Sequence, residues 1–368
     1  MKVLLLAAVL AAAGPAPEAR VIDLFYDLQF DKALAAAQEL GRKHPGHPVG
    51  PFYESIVYYQ RFLAEEPRNP ETLRLFEKHH EQAVEAAERL LSSAPAEGHY
   101  YLGIARGFKG RVLAAQRRYL RAIPEALGAV KHLEQALALD PTLEDAYLGL
   151  GMYHYFTDRI PAGAKPFAFL IGAGWGDREK GLAYLQRAAE KGGPAKMEAR
   201  SVLSSIYALE GRWTEAETYL RELSGRYPRN PLYRLRLAYV LGRQQKWDEL
   251  LDLSWLAKVP PELRELAQHP AMYRKAEALL MLGRVEEAEA LVAELEKRPS
   301  LGPALRDFTL LRRANLLDLY GRRDKAVEVY KRVKHKEARK LADRWLRSPY
   351  AGPEPDALMP WLGLETPS

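Results

Sequence analysis

The chain has 368 residues, of which 48% are hydrophobic and 28% charged, with a net charge of +6. That balance is too apolar for a disordered chain and ordinary for a folded soluble one. The absence of cysteine excludes disulfides, thiolate chemistry and a lipid-modified cysteine.

Met1-Lys2 is followed by Val3 to Ala13, eleven apolar residues without a charge, and then by Gly14-Pro15-Ala16-Pro17. A short basic start, a short apolar run and the small-residue end Ala11-x-Ala13 form the pattern of a secretory signal peptide. Eleven residues fall short of the roughly 20 that a bilayer-spanning helix needs. The competing reading is a buried first helix, against which Pro15 and Pro17 count because proline interrupts a helix. Export to a periplasmic or other extracytoplasmic space is expected, with residues 1–13 removed.

From there on the dominant signal is internal periodicity. A small residue, an apolar or small residue four positions later and a proline twelve after the first recur along the chain. They appear as Ala33, Ala37, Pro45; Ala83, Ala87, Pro95; Ala129, Leu133, Pro141; and Ala216, Leu220, Pro228, with looser copies starting at Gly181, Leu250, Ala288 and Ala326. The small residue lets two antiparallel helices approach closely, and the residue four later lies on the same face. The proline ends one unit and opens the next. A preceding helix is legible in Tyr147-x-x-Leu150-Gly151-x-x-His154 and again in Leu203, Ser204 and Tyr207. The turn between helices reads Gly211-Arg212, Gly242-Arg243, Gly283-Arg284 and Gly321-Arg322, with glycine closing the first helix in the left-handed conformation.

These residues resemble the tetratricopeptide repeat family, whose period is about 34 residues. The resemblance is strongest over residues 142–230. Successive small anchors lie 50, 46, 52, 35, 34, 38 and 38 residues apart, so the second half is regular and the first carries insertions. The expected fold is all-α, a right-handed superhelical solenoid of about eight helical hairpins. Irregular repeats span 14–196, regular repeats 197–334, a capping helix 335–347 and a tail 348–368. A narrower resemblance rests on Asp145-Ala-Tyr-Leu-Gly-Leu-Gly-Met-Tyr-His-Tyr-Phe156, Ile160-Pro161 and Gly176-Asp-Arg-Glu-Lys-Gly181. That run is similar to a group of exported bacterial repeat proteins, distantly like a eukaryotic repeat family with a mitochondrial-outer-membrane member linked to inclusion-body clearance. It implies fold and leaves the ligand open.

Two insertions interrupt the irregular half. Residues 110–124 contain Arg111, Arg117, Arg118 and Arg121 and are expected to lengthen one helix. Residues 156–175 contain Pro166-Phe-Ala-Phe-Leu-Ile171, expected to pack on that helix through Phe167, Phe169 and Leu170. The other reading of this apolar run is a lid or a membrane-touching element.

Site chemistry is sparse. Ile171-Gly-Ala-Gly-Trp-Gly176-Asp177 lacks the Lys-Ser/Thr of a phosphate loop and reads as a turn with Asp177 at a helix start. His79 and His80 are consecutive on a helix, about 100° apart, and are poorly placed to share a metal. Neither a metal nor a cofactor is expected. Acidic pairs such as Glu287 and Glu289 sit at helical spacing among basic residues and read as solvated faces. No serine-elbow or Ser/His/Asp set is present, so no catalytic residue is assigned and a non-enzyme is expected.

Proteins of the resembled family present a concave surface built from the first helix of each hairpin. That register places Tyr100, Met152, Tyr155, Tyr239, Tyr273 and Asn315 inward, although the same positions also suit inter-repeat core. Tyrosine and methionine give adaptable contact area, which favours a scaffold holding a peptide or protein partner. Between Arg322 and Arg347 there are eleven Lys or Arg and four Asp or Glu, a basic end that suits either an anionic membrane surface or the polar face of a capping helix. Nucleic acid is not an expected partner, since no stacking aromatics accompany these charges. A cell-wall-turnover enzyme ranks last. N-terminal sequencing of the protein isolated from its native host is expected to begin at Gly14; a mature chain beginning at Met1 would contradict the export signal.

Overall fold

The computed structural model describes residues 17–64, 69–160 and 176–360. The signal-like start and the apolar run at 166–171 therefore lie outside the described residues. Within them the fold is all-α, without a strand, and the chain divides after Leu203 into two compact units. No described helix is long and apolar enough to cross a membrane.

The first unit contains α1 (Pro17–Tyr26), α2 (Phe30–Lys43), α3 (Val49–Ala64), α4 (Pro70–Leu90), α5 (Pro95–Ala115), α6 (Tyr119–Leu139), α7 (Ala146–Asp158) and α8 (Arg178–Lys191), each packed on the helix before it. The division falls within α9 (Lys196–Leu209). The second unit continues with α10 (Trp213–Arg226), α11 (Pro231–Arg243), two 3-10 turns (Trp247–Leu250 and Ser254–Lys258), α12 (Pro261–Met281), α13 (Val285–Glu296), α14 (Pro303–Leu319), α15 (Arg323–Arg332) and α16 (Lys336–Arg347). Proline opens α4, α5, α11, α12 and α14, where its missing N–H costs nothing. The side chains of Asn69, Asp177 and Asn230 cap α4, α8 and α11 by accepting backbone N–H groups, as Ser, Asp and Asn do at helix starts.

The small anchors of the repeat pattern are the crossing points of the hairpins. Ala33, Ala37, Ala83, Ala87, Ala216, Ala288 and Ala326 are all buried. Where glycine replaces alanine, the backbones themselves meet. A Cβ on Gly151 of α7 would lie 2.8 Å from Leu185 Cγ and 2.9 Å from the Gly181 carbonyl oxygen of α8, and one on Gly181 would lie 2.5 Å from the Tyr155 nitrogen. A Cβ on Gly50 would land on the Gly41 backbone.

Four expectations are modified. The insertion at 110–124 lengthens two helices, because α5 and α6 each run 21 residues around a turn at Arg117, whose φ is +60°. Leu120 in that insertion is exposed, while Val112 and Leu113 are buried. Gly211, Gly283 and Gly321 close their helices with positive φ, but Gly242 stays helical and Gln245 takes the left-handed position three residues later. The anchor at Leu250 sits in a 3-10 turn, so α11 lacks a full partner helix. Finally, residues 350–359 are no loose tail: Tyr350, Ala357, Leu358 and Met359 are buried.

Replacing Gly151 by Leu forces a side chain against α8, and overpacking of this kind costs about 1–3 kcal/mol. Gly225→Ala is the control, since nothing lies within 4 Å of its Cβ position and alanine favours helix by up to ~1 kcal/mol. Thermal melts are expected to show a lowered Tm for the first and an equal or raised Tm for the second.

Candidate functional site

The first unit holds a half-open cavity of about 370 Å³, within the range of roughly 300–1,000 Å³ usual for ligand clefts. Its floor follows from a stripe of small residues. Gly103, Gly107, Gly110 and Ala114 fall on one face of α5, opposite Ala122, Ala126 and Ala129 of α6. Gly103 is filled by Leu133, whose Cγ would touch a Cβ there at 2.7 Å, but among the described residues Gly107 meets only the Ala129 Cβ, at 3.8 Å. The surface recedes where side chains are missing. Large apolar groups form the walls: Phe25 from α1, Phe52 and Tyr53 from α3, Phe108 from α5, and Met152 and Phe156 from α7.

Three charged side chains reach this apolar space. Arg111 is ion-paired with Glu198 of α9, and its guanidinium lies 4.8 Å from the centre of the Phe108 ring, within cation–π range. Burial alone would depress the guanidinium pKa, but the Glu198 carboxylate and nearby tyrosines hold it above its ordinary value. Asp145 accepts the Ala195 N–H at 2.8 Å and so ties the start of α7 to the turn before α9. Burial raises the Asp145 carboxyl above its ordinary value, against the lowering effect of the Ala195 and Gly193 amides. Tyr53 and Tyr100 also line the space, and burial raises both phenols.

Of the residues projected inward from the repeat register, Tyr100 and Met152 line this cavity. Tyr155 does not: it is fully buried, with its hydroxyl accepting from Arg159 at 3.0 Å. The other three gather in the second unit around a buried charged cluster. Arg274 lies 5.4 Å from the centre of the Tyr239 ring. Arg312 donates to the Tyr273 hydroxyl at 3.1 Å and to Asn315 Oδ1 at 3.0 Å, and Asn315 donates to the Tyr330 hydroxyl at 2.8 Å. Tyr273 and Asn315 are fully buried, so for them and for Tyr155 the inter-repeat core reading describes the placement.

At the centre of the cluster Glu277 accepts from Arg274 at 2.6 Å and from Arg312 at 2.7 Å. Burial alone would raise the Glu277 pKa, but the two guanidinium groups and the Met359 amide hold it below its ordinary value. Neither this cluster nor the Arg111 and Glu198 pair is foreseen from the sequence. Their signal is a charge within an apolar helical run, as in Ala276-Glu-Ala-Leu-Leu280 and Leu310-Leu-Arg312, which is easily taken for a solvated face.

Among the described residues no group of three or more His, Asp or Glu side chains is arranged to hold a metal ion. His79 stacks on Tyr58 and His80 on Phe76, so the adjacent pair faces different neighbours. His154 is half-buried, edge-on to Tyr184 at 5.9 Å.

Residues 174–231 match the tetratricopeptide repeat family. No curated protein shows significant sequence similarity to the chain. Among solved structures, a human IFIT1 dimer with m7Gppp-AAAA is 15% identical, with 90% of this chain and 86% of that one covered and a TM-score of 0.37. Yeast Tom70 is 14% identical, with 89% and 80% covered and a TM-score of 0.35. Likeness at this level bears on neither ligand nor partner.

Asp145 offers a test of the site's electrostatics. A carboxyl whose pKa is raised by folding contributes most below its unfolded value of about 3.9 and loses that contribution as the pH rises through its folded value. Asp145→Asn keeps an acceptor for the Ala195 amide and removes the titration. The Tm difference, variant minus wild type, is therefore expected to be more positive at pH 7 than near pH 4. A difference independent of pH would contradict the buried placement.

Proposed function

We propose that this protein is a non-catalytic, exported scaffold that holds a peptide or protein partner by taking an apolar segment into the cavity of its first unit. The observation that carries this reading is the cavity itself: preformed, walled by aromatic and aliphatic side chains, and provided with few polar groups. Burying two or three apolar side chains contributes roughly 3–9 kcal/mol, comparable to the ~8 kcal/mol of a micromolar complex. The match of residues 174–231 to tetratricopeptide repeats agrees with an interaction role, and the signal-like N-terminus supports export.

Membrane docking through the basic end is less well supported. The apolar face of α16 is already covered, with Ala338, Ala342 and Trp345 buried. Several of the basic residues there are paired: Arg323 with Asp318, Arg339 with Asp343, Lys340 with Glu337 and Arg344 with Glu354.

Gly107→Trp tests the cavity directly. Among the described residues only the Ala129 Cβ lies within 4 Å of a Cβ at this position, and Gly107 lines the cavity, so an indole there is expected to enter the space. The variant is expected to keep the wild-type Tm or exceed it, and to lose at least tenfold of the material that cross-links to the wild type in its native compartment. A small apolar molecule released from the wild type and absent from the variant would replace the partner reading with a ligand-carrier one. An unchanged cross-linked set would overturn the cavity as the site.

A further inference from the structure

The buried cluster of the second unit has a use that packing alone does not require. Beyond α16 the chain returns as Pro353-Glu-Pro-Asp-Ala-Leu-Met-Pro360, with one 3-10 turn at Pro355–Ala357 and then extended backbone, Leu358 having φ −73° and ψ 149°. Four hydrogen bonds join this segment to the cluster. Arg312 donates to the Ala357 carbonyl oxygen at 2.6 Å, and Arg274 donates to those of Met359 at 2.7 Å and Pro360 at 3.2 Å. The Met359 N–H donates to Glu277 Oε1 at 2.8 Å. Every one of these bonds goes to a backbone atom of the segment.

At the cluster the segment's side chains are apolar fillers, while Glu354 at its start accepts from Trp345 Nε1 at 3.1 Å and pairs with Arg344 of α16. Ala357 and Met359 join the core that contains Met272, Tyr273 and Phe308, and Leu358 Cδ1 lies 3.5 Å from the Cβ position of Gly242 on α11. Trp247 and Leu250 approach the same position at 3.6 and 3.8 Å, so Leu358 shares one apolar pocket with them. Backbone hydrogen bonds for affinity and shallow apolar pockets for side-chain choice are how extended peptides are recognised. Prolines on both sides pre-set an extended backbone and lower the ordering cost.

A core could be closed with less expense. Two arginines and a glutamate buried together carry a desolvation penalty that well-packed apolar side chains would avoid. What the charges add is the reading of a peptide backbone, whatever its sequence. We infer that the inner face of α12 and α14 is a binding site for an extended, proline-bounded apolar peptide, held in this structure by the chain's own residues 355–360 as an internal competitor. Its partner is a protein segment of the same chemistry, which binds when the internal copy lifts away. This site is separate from the cavity of the first unit and does not rest on the function proposed for it.

The test uses the full chain and a labelled peptide of residues 352–360. In the double variant Leu358→Asp, Met359→Asp the internal copy is weakened and the site itself is untouched. By anisotropy the peptide is expected to bind this variant at least tenfold more tightly than it binds the wild type, where a tethered competitor acts at an effective concentration of order millimolar. The same peptide N-methylated at its Met359 amide lacks the donor to Glu277 and is expected to bind at least tenfold more weakly. A variant that retains its helical circular dichroism yet binds no better than wild type, or an N-methyl peptide that binds equally, would overturn the proposal. Hydrogen exchange on the unmodified chain covers the case in which the variant does not fold. Amides of 350–359 are expected to exchange at least tenfold faster than those of α14, through local release. Exchange of both at one common rate would make the segment a permanent part of the core and end the proposal.

Discussion

Contact between helix backbones, possible only where side chains are small or missing, is the constraint from which the rest of this structure follows. Gly151 against Gly181, Gly50 against Gly41 and the alanines at Ala33, Ala83, Ala216, Ala288 and Ala326 fix where each helix crosses its neighbour. Once the crossings are fixed, the larger side chains four residues on, Leu220, Val292 and Tyr330, are buried beside them. The same device creates the cavity. Along α5 the small residues continue past the crossing at Gly103 and Leu133; Gly110 packs on α6 at Ala122, Glu125 and Ala126, while at Gly107 only the Ala129 Cβ comes within 4 Å among the described residues. A stripe that would close two helices elsewhere leaves a hollow here.

Buried charge is handled in two ways. In the first unit a partly exposed Arg111 pairs with the buried Glu198 at the cavity wall. In the second, Arg274, Glu277 and Arg312 are buried outright and satisfied by one another, by Tyr273 and Asn315, and by the main chain of residues 357–360. Leaving either arginine of that trio unpaired is costly, since breaking a buried pair typically costs about 3–5 kcal/mol. The segment and the cluster therefore depend on each other.

Helix class, hairpin anchors and most turns were legible because they rest on local rules: small residues at crossings, proline at helix starts, glycine at left-handed ends. The departures occur where a long-range contact overrides such a rule. Gly242 looks like the helix-closing glycines of Gly211 and Gly283, but it stays helical and is covered by Leu358, more than a hundred residues later. Residues 348–360 read as a tail because prolines and a short apolar run carry no periodicity, and their partners lie on helices distant in sequence. The repeat register projects Tyr100 and Met152 inward, and both side chains line the cavity. The charged cavity residues are not legible in this way, because Arg111, Asp145 and Glu198 are unremarkable in a chain that is 28% charged.

Diffraction from crystals held under xenon pressure tests whether the apolar cavity of the first unit is preformed, since xenon enters dry apolar cavities and avoids polar, hydrated ones. Xenon is predicted to occupy the space between Gly107, Met152 and Phe108. A space collapsed by inward rotation of Phe156 and Met152, or filled by ordered water, would contradict it.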